Sequence, residues 1–424
     1  MPTASRGIIL LKRTVPGVKL GILHVIRSLN LEGGGPSESV RMFALAHQRL
    51  GRNVEIVTLD SPDDGPSRDG YRSSFPCPVH PCGPAVGQYG YSHRLQPWLL
   101  ANRSRFDGVI VDGVWQYHSL AARRAFAGHV PYVIFSHGML DPYFKRRFPL
   151  KHLKKLAYWM LEESRNLNQA LAVCVTSQEE YRTVAEGFPF RRFRRLLVPF
   201  GSAGPEGDPA ANREAFLAGW PHLADKRFLL FLGRIHPKKG CDLLMDAFAR
   251  SAEPDLHLVM AGPDEVGWSA ELKARADALG IGDRITWTGM LRGAQKWGAY
   301  YAASAFILPS HQENFGIAVA DALACGLIPL ISDKVNIAPE VAEDQAAFVD
   351  TDTVEGTSRL IERFQRMTGG EREAMQSAAR ACYVRRYSLT DAPLVIYRAL
   401  GLIADDPQEL SATPKAPAVP QYTR

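Results

Sequence analysis

The arrangement of apolar segments along the chain constrains its fold more than any other feature. Short apolar runs typical of buried strands alternate with amphipathic, helix-like segments almost throughout the sequence. This alternation predicts parallel sheets with helices on both faces. In the first unit, KLGILHVI leads through a glycine-rich turn into the helical pattern SESVRMFALAHQRL, which Gly51 ends, and NVEIVTLD then completes a βαβ unit.

The alternation runs in two series, which predicts two domains. The first series continues through the strand-like runs FDGVIVD, PYVIFS, ALAVCVT and RLLVPF. Small, polar and proline-containing residues at 201–214 then indicate a linker. The second series is RFLLFLG, LHLVMAG, DRITWTG, AFILPS, LIPLIS and AAFVD. A chain of 424 residues is also too long for one compact core.

We therefore predict an α/β fold of two doubly wound, Rossmann-like domains whose strand ends face a central cleft, where such sheets bind ligands. Residues 61–95, rich in Pro, Gly and Ser, are predicted to form a long loop. The helical pattern from Glu371 to Tyr397 is predicted to break at Pro393. The predicted ranges are an N-terminal extension (1–19), an N-terminal domain (20–200), the linker (201–214), a C-terminal domain (215–385), a C-terminal helix packing back on the first domain (386–402) and a tail of disordered composition (403–424).

Composition and charge exclude several classes of protein. Fifty Lys and Arg against 44 Asp and Glu give a net charge of +6, which is mild for this size and does not point to nucleic acid. Six scattered cysteines, several of them in apolar runs, are typical of reduced thiols in a cytosolic protein. The first residues lack the apolar core of a signal peptide, and no run of about 18 apolar residues occurs. These features predict a cytoplasmic protein.

Metal binding is not favoured by the sequence. CPVHPC at 77–82 contains two cysteines and a histidine, but a structural zinc site needs four ligands and no second pair appears. A proline-rich loop is the preferred interpretation of this segment. The adjacent acids Asp63 and Asp64 lie in the predicted long loop.

Two loops are candidates for binding phosphate. LEGGGPSE places Gly34 and Gly35 between the first strand and the first helix, where bare amides attract anions; a flexible turn is the alternative. The spacing is not G-x-G-x-x-G, which disfavours a nicotinamide cofactor. In FLGRIHPKKG, Arg234 directly follows a strand and Lys239 precedes a helix. Such a pair suits a diphosphate, although an exposed basic loop is the other interpretation.

The segment HQENFGIAVAD surrounds a predicted helix start with two acids. Glu313 lies on the loop after the strand AFILPS, and Asp321 lies one to two turns into the helix. Backbone amides at the helix start are expected to face the cleft; they belong to Phe315, Gly316 and Ile317. Asp321 suits a vicinal diol such as that of ribose. Alternatively, both acids only complement the helix dipole.

His137 also follows a predicted strand, at the boundary between PYVIFS and Gly138. A lone histidine at such a position is more often structural, so the residue by itself decides nothing.

In combination, the glycine loop, the cationic pair and the two acids closely resemble glycosyltransferase family 4, from about Leu20 to Leu402. The resemblance also includes SHGMLDP at 136–142, AGPDE at 261–265 and TWTGML at 286–291. It implies a GT-B fold with an acceptor-side N-terminal domain and a nucleotide-sugar-binding C-terminal domain. It also implies a retaining, nucleotide-sugar-dependent transfer.

The resemblance implies a role for each candidate residue. Arg234 and Lys239 bind the donor diphosphate, Glu313 contacts the sugar hydroxyls, and the amides of Phe315, Gly316 and Ile317 hold sugar and phosphate. Asp321 binds the ribose, Met290 and Leu291 cradle the base, and His137 lies beside the donor sugar. Two positions depart from the family: Asp321 stands where glutamate is usual, and Phe200 stands where relatives commonly carry asparagine.

Retaining transfer of this kind needs no strong protein nucleophile, and the two cations supply charge that a metal supplies elsewhere. We therefore expect no metal and no cofactor besides the nucleotide-sugar donor. The segments 143–163 and 190–195 combine ten Lys and Arg with aromatic residues, which suits an anionic membrane surface; a solvated helix face is the alternative.

The predicted function is hexose transfer from a nucleotide-diphosphate sugar to a saccharide or lipid-linked saccharide in surface polysaccharide biosynthesis. Two alternatives fit the same architecture. One is a nucleotide-sugar epimerase, and the other is a non-catalytic nucleotide-sugar-binding module.

Overall fold

A computed structural model describes residues 20–30, 35–63, 75–141, 149–264, 266–389 and 392–403. Two parallel sheets form within these ranges, and their orders are β3-β2-β1-β4-β5-β6-β7 and β10-β9-β8-β11-β12-β13. The predicted α/β architecture of two doubly wound domains is therefore confirmed. The predicted N-terminal extension lies outside the described residues, as does all of the predicted tail except residue 403.

The first sheet is built from apolar runs that are buried along most of their length. Its strands are β1 (Gly21–Ile26), β2 (Asn53–Thr58), β3 (Val79–Pro81), β4 (Gly108–Asp112), β5 (Tyr132–Phe135), β6 (Val173–Val175) and β7 (Arg195–Leu197). Helices cover both faces of this sheet. They are α1 (Gly35–Arg49), α2 (Leu95–Asn102), α3 (Tyr117–Phe126), α4 (Pro149–Tyr158), α5 (Ser164–Gln169) and α6 (Gln178–Thr183). A π-helical turn, 159–163, joins α4 to α5.

The second sheet repeats the same construction. Its strands are β8 (Arg227–Leu232), β9 (Leu256–Ala261), β10 (Ile285–Gly289), β11 (Ala305–Leu308), β12 (Pro329–Ser332) and β13 (Phe348–Asp350). Its helices are α7 (Pro209–Gly219), α8 (Cys241–Ser251), α9 (Ser269–Ala278), α10 (Gly293–Ala302), α11 (Ile317–Ala324), α12 (Ala338–Glu343), α13 (Val354–Gln365) and α14 (Gly369–Cys382). A final helix, α15 (Ala392–Ala399), follows a π-helical turn at 383–387.

The chain crosses between the two sheets twice, and the two crossings touch. The amide of Ser202 donates to the carbonyl of Tyr387 at 3.0 Å. Gly201 permits this approach, because a Cβ there would lie 1.7 Å from that carbonyl oxygen. After the return crossing, α15 packs against α1, where the Tyr397 hydroxyl contacts His47. The end of the described chain therefore rests on the first sheet.

Three local predictions need correction. Part of CPVHPC forms the edge strand β3 beside β2, so the predicted loop 61–95 is interrupted. Helix α7 begins at Pro209 with Asp208 as its N-cap, so the later part of the predicted linker 201–214 is helical. The helical C-terminal region is interrupted after Tyr387, where Ser388 and Leu389 are not helical, and Pro393 itself lies inside α15, because proline is tolerated in the first turn of a helix.

Candidate active site

A cavity of about 760 Å³ lies between the two sheets, a volume suited to a small-molecule ligand. Loops at the carboxyl ends of β5, β8, β9, β10 and β11 contribute to its wall. The sequence candidates that line it are Gly35, His137, Arg234, Lys239, Met290, Leu291, Glu313, Phe315, Gly316, Ile317 and Asp321. Gly34 lies outside the described residues. Parallel sheets thus bring together residues that are up to 286 positions apart in the chain.

Three cations on the loop that follows β8 contribute to the cavity. Arg234, Lys238 and Lys239 all line the wall, and Lys238 was not among the sequence candidates. Burial lowers the pKa of the Lys238 ammonium, and the nearby Lys239 and Arg234 add to that effect against the attraction of Glu313. Positive charges crowded in this way favour an anionic ligand.

A glycine fixes the turn that holds these cations. Gly240 has a φ of +65°, and a Cβ there would lie 2.2 Å from the carbonyl oxygen of Pro309. That close approach joins the cationic turn to the residue that follows β11, where the loop of Glu313 begins. The Lys239 ammonium and the Glu313 carboxylate form an ion pair across this junction.

The start of α11 supplies bare backbone donors to the cavity. Gly316 occupies the N-cap position with a φ of +90°, and no side chain caps the helix. Amides in the first turn of a helix have no partner within the helix, and the helix dipole adds partial positive charge there. Glu313 is held just before this point, because its amide and carbonyl bond to the main chain of Lys334 and Asn336 at 3.0 Å each.

Asp321 is buried and already paired. Its carboxylate accepts from the Ser202 hydroxyl and lies 2.8 Å from the Lys296 ammonium. Burial alone would lower the pKa of Lys296, but the carboxylates of Asp321 and Glu38 outweigh it and raise that pKa. A sugar diol bound here would meet both a carboxylate and an ammonium group. Lys296 was missed from the sequence, although a lone lysine in the otherwise apolar and small-residue helix GAQKWGAYYA was a usable signal.

His137 lies at the cavity wall in a constrained loop. Its φ is +45° and that of Gly138 is +71°, so both residues adopt left-handed conformations. The buried carboxylate of Glu180 accepts from the Ser136 hydroxyl at 2.6 Å and from the Gly138 amide at 2.8 Å. This carboxylate therefore fixes the backbone on both sides of the histidine, and sequence reasoning missed it.

The same carboxylate reaches the other domain. The side-chain amide of Asn314 donates to Glu180 at 3.3 Å and to the Thr176 hydroxyl at 3.2 Å. Gln312 donates to Asp141 at 3.0 Å. The loop that carries Glu313 is therefore docked on the first domain at two neighbouring positions.

Phe200, one of the two departures from the family pattern, fills a junction between the domains. Its ring packs edge-on against Phe315, with ring centroids 4.8 Å apart, and also contacts Phe43. An aromatic contact thus links the two domains at this position.

Within the ranges given above, no cluster of His, Cys, Asp and Glu is arranged to hold a metal ion. His80 of the CPVHPC segment instead bonds to Glu55 at 2.7 Å, and Asp64 lies outside the described residues. All six cysteines are unpaired, as the sequence predicts.

Comparison with known families accounts for most of the chain. The sequence model for "Glycosyl transferases group 1" matches residues 212–381, and that for "Glycosyl transferase 4-like domain" matches residues 34–201. This chain belongs to the group 1 glycosyltransferases. The two models divide this glycosyltransferase at the same place as the two sheets.

Two curated relatives show how far the sequence similarity extends. The GDP-mannose:cellobiosyl-diphosphopolyprenol alpha-mannosyltransferase of Xanthomonas campestris is 26% identical over 379 residues, which cover 86% of this chain and 92% of the relative. The D-inositol 3-phosphate glycosyltransferase of Segniliparus rotundus is 33% identical over 200 residues, or 46% of this chain and 43% of that protein.

Solved structures show the fold of this glycosyltransferase. Anabaena Alr3699/HepE, crystallised with UDP and glucose, has a TM-score of 0.71 at 17% identity over 91% of this chain and 100% of its own. WaaG, a glycosyltransferase involved in lipopolysaccharide biosynthesis, has a TM-score of 0.63 at 15% identity over 91% of this chain and 100% of its own. The predicted GT-B fold is thereby confirmed. Across the described ranges, no helix combines the length and apolar character needed to cross a membrane.

Proposed function

We propose that this glycosyltransferase transfers a hexose, with retention, from a nucleotide-diphosphate sugar to a lipid-linked saccharide in surface polysaccharide biosynthesis. One observation carries the proposal: three cations and the uncapped start of α11 line one cavity together with Glu313. A diphosphate satisfies both the cations and the amides. The sugar then extends toward Glu313 and His137, and the ribose toward Asp321 and Lys296.

The chemistry follows from this placement. The acceptor oxygen attacks the anomeric carbon on the face that the nucleotide leaves, the bond from carbon to phosphate oxygen breaks, and the departing phosphate takes the acceptor proton. Arg234 and Lys239 stabilise charge on the leaving group, and His137 hydrogen-bonds the sugar or the acceptor near the reacting carbon. Positioning supplies the rest of the acceleration, so no carboxylate pair at glycosidase spacing is required.

The relatives suggest which donor and acceptor to test first. The Xanthomonas enzyme is named for GDP-mannose and a diphosphopolyprenol acceptor, whereas the Anabaena structure contains UDP and glucose. We propose a GDP- or UDP-hexose as donor and a polyprenol diphosphate saccharide as acceptor.

A donor panel with and without acceptor tests the proposal. We expect one class of nucleotide sugar to raise the melting temperature, because a ligand at about 100 times its Kd stabilises the folded state by about 2.7 kcal/mol. Transfer should then require the lipid-linked acceptor, persist in EDTA and give a product with retained anomeric configuration by NMR. An altered sugar nucleotide formed without acceptor would indicate an epimerase. Donor binding without turnover would indicate a binding module. Loss of transferase activity in EDTA, with recovery of that activity on addition of Mg²⁺, would contradict metal independence.

We also propose that this protein binds anionic membranes through one face of the first domain. The described parts of the two basic segments are neighbours, since the Trp159 indole of the first donates to the carbonyl of Pro189, directly before the second, at 2.7 Å. The exposed apolar side chains of these segments are Leu153, Met160, Leu161 and Phe190. The exposed cations beside them are Lys154, Arg191, Arg192 and Arg194. Residues 143–148 of the predicted segment lie outside the described residues.

Vesicle flotation tests this surface. The protein should float with phosphatidylserine vesicles and remain in the dense fraction with neutral vesicles, and the Leu153→Ser/Leu161→Ser variant should lose most of the binding, because insertion depends on buried apolar area. The matched control is Val384→Ser, which removes an equally exposed apolar side chain from the second domain. Equal flotation with phosphatidylserine vesicles and with neutral vesicles would contradict the proposed binding of anionic membranes.

A further inference from the structure

A buried array of polar side chains extends from His137 into the first domain, away from the cavity. Nε2 of His137 lies 3.1 Å from one carboxylate oxygen of Asp112, and Nδ1 of His24 lies 2.8 Å from the other. Asp112 and His24 are both buried, at 2% and 0% exposure. A single carboxylate at the end of β4 therefore holds two imidazoles.

The chemistry of these groups fixes where the protons lie. Burial opposes ionisation of Asp112, but the interaction with His24 and the hydrogen bonds from His137 and His24 outweigh it, so the pKa of Asp112 falls below its ordinary value. An ionised carboxylate only accepts hydrogen bonds. Nε2 of His137 and Nδ1 of His24 must therefore both carry protons, which sets the orientation of each ring.

The array continues to the last described helix. Nε2 of His24 lies 3.3 Å from Nε2 of His47 on α1, and Nδ1 of His47 contacts the hydroxyl of Tyr397 on α15. Burial, with the nearby His24, holds the pKa of His47 well below its ordinary value, so that ring is neutral. His47 therefore has one N–H to donate and one nitrogen that accepts, and these match its two neighbours.

A purely structural role does not account for this arrangement. Buried polar groups cost desolvation free energy, and apolar side chains of similar volume stabilise a core at least as well. The array also begins at the constrained backbone of His137 and ends on the helix that returns from the second domain. The two ends of the array, His137 and Tyr397, therefore both lie where the relative placement of the two domains affects the cavity.

We propose that Asp112 is a positioning residue that holds the His137 ring at the cavity wall, and that His24, His47 and Tyr397 link this placement to the docking of α15 on the first domain. The inference rests on the proposed function in that His137 contacts the donor or the acceptor. It adds that the C-terminal helix affects turnover through side chains that touch neither substrate.

The decisive variant is Asp112→Asn, because the two imidazoles contact different carboxylate oxygens and a carboxamide replaces one of these acceptors by an NH2 donor. We expect kcat to fall about 10- to 100-fold, the effect of displacing a reacting group by up to 1 Å, while the Kd for the donor changes less than about 3-fold. The histidine ¹H–¹⁵N spectrum should show a changed tautomer or environment for His137. Wild-type kcat with an unchanged spectrum would overturn the proposal.

Tyr397→Phe tests the far end of the array without altering its volume. We expect kcat to fall about 2- to 5-fold, as for loss of one buried hydrogen bond, and the His47 and His24 resonances to shift. The matched control is Tyr132→Phe, which removes another buried hydroxyl, bonded to the Asn166 carbonyl at 3.0 Å, outside the array. If Tyr132→Phe lowered kcat as much as Tyr397→Phe does, the loss would reflect a general decrease in protein stability. That result would overturn the link to α15.

The outcomes separate this inference from the proposed function. If the wild-type protein transfers no sugar from any donor, the proposed function fails. The histidine spectra of Asp112→Asn still report whether this carboxylate sets the His137 ring. If Asp112→Asn does not fold, the array is tested from its other end by Tyr397→Phe, because unchanged kcat and unchanged histidine resonances in that variant overturn the proposed connection from His137 to α15.

Discussion

Replacing Arg234 and Lys239 together by methionine should lower kcat/KM for sugar transfer by about 10³- to 10⁴-fold. Loss of one group that stabilises transition-state charge typically costs about 10²- to 10³-fold, and two groups acting on one diphosphate are not fully additive. Methionine keeps most of the side-chain length while removing the charge. The measurement is initial-rate kinetics with a saturating lipid-linked acceptor, at fixed ionic strength.

The same strand offers a matched control for this double variant. Lys226 and Arg227 lie at the amino end of β8, and Arg227 forms exposed ion pairs with Glu253 and Asp255. Replacing these two residues by methionine removes an equal charge from the opposite end of the same strand. Its kcat/KM should stay within about 2-fold of wild type, because exposed ion pairs contribute little to stability. Similar losses in both variants would show that net charge, and not the site, is responsible.

Glu313→Gln should lower kcat by about 10²-fold with a smaller change in donor affinity. In the proposed mechanism this carboxylate accepts hydrogen bonds from sugar hydroxyls and offsets positive charge that develops at the anomeric carbon, whereas the amide keeps the shape without the charge. The variant also leaves Lys239 without its ion-pair partner in the free enzyme. Single-turnover kinetics with a labelled donor separate the chemical step from binding.

Glu343→Gln is the control for this change, because its carboxylate is exposed on α12 and pairs with Arg386 on the surface. Its kcat should equal that of the wild type. If the Glu313→Gln enzyme retained more than a third of wild-type kcat, the Glu313 carboxylate would not be stabilising the transition state.

The fold could be predicted from the sequence because its strands are short, apolar and buried. The strand β1, for example, is buried along its whole length, and its run GILHVI has no competing interpretation at that length. Edge strand β3 was missed because VHP lacks such a run: its side chains are only half-buried, and proline limits its pairing. Edge strands depend on their neighbour, which composition does not reveal.

Part of the candidate site could be predicted because strand ends are local features. Arg234 lies two residues after β8 and His137 two residues after β5, and parallel sheets place such residues at one edge. The pairing of Asp321 with Lys296 and that of Asp112 with two histidines could not be predicted, because each joins separate helices and strands. Side-chain contacts over such separations depend on packing, which a pattern in one segment does not encode. The contact of Glu180 with both loops is of the same kind.

Direct binding of the donor nucleotide by isothermal titration calorimetry tests the central claim most directly, namely that the cations after β8 and the start of α11 hold a diphosphate. The Arg234→Met/Lys239→Met protein should bind the preferred nucleotide diphosphate at least about 100-fold more weakly than wild type, because charge-assisted hydrogen bonds contribute about 1.5–3 kcal/mol each. The Lys226→Met/Arg227→Met protein should bind as wild type does. An unchanged Kd in the first variant, with the fold intact by circular dichroism, would contradict the account.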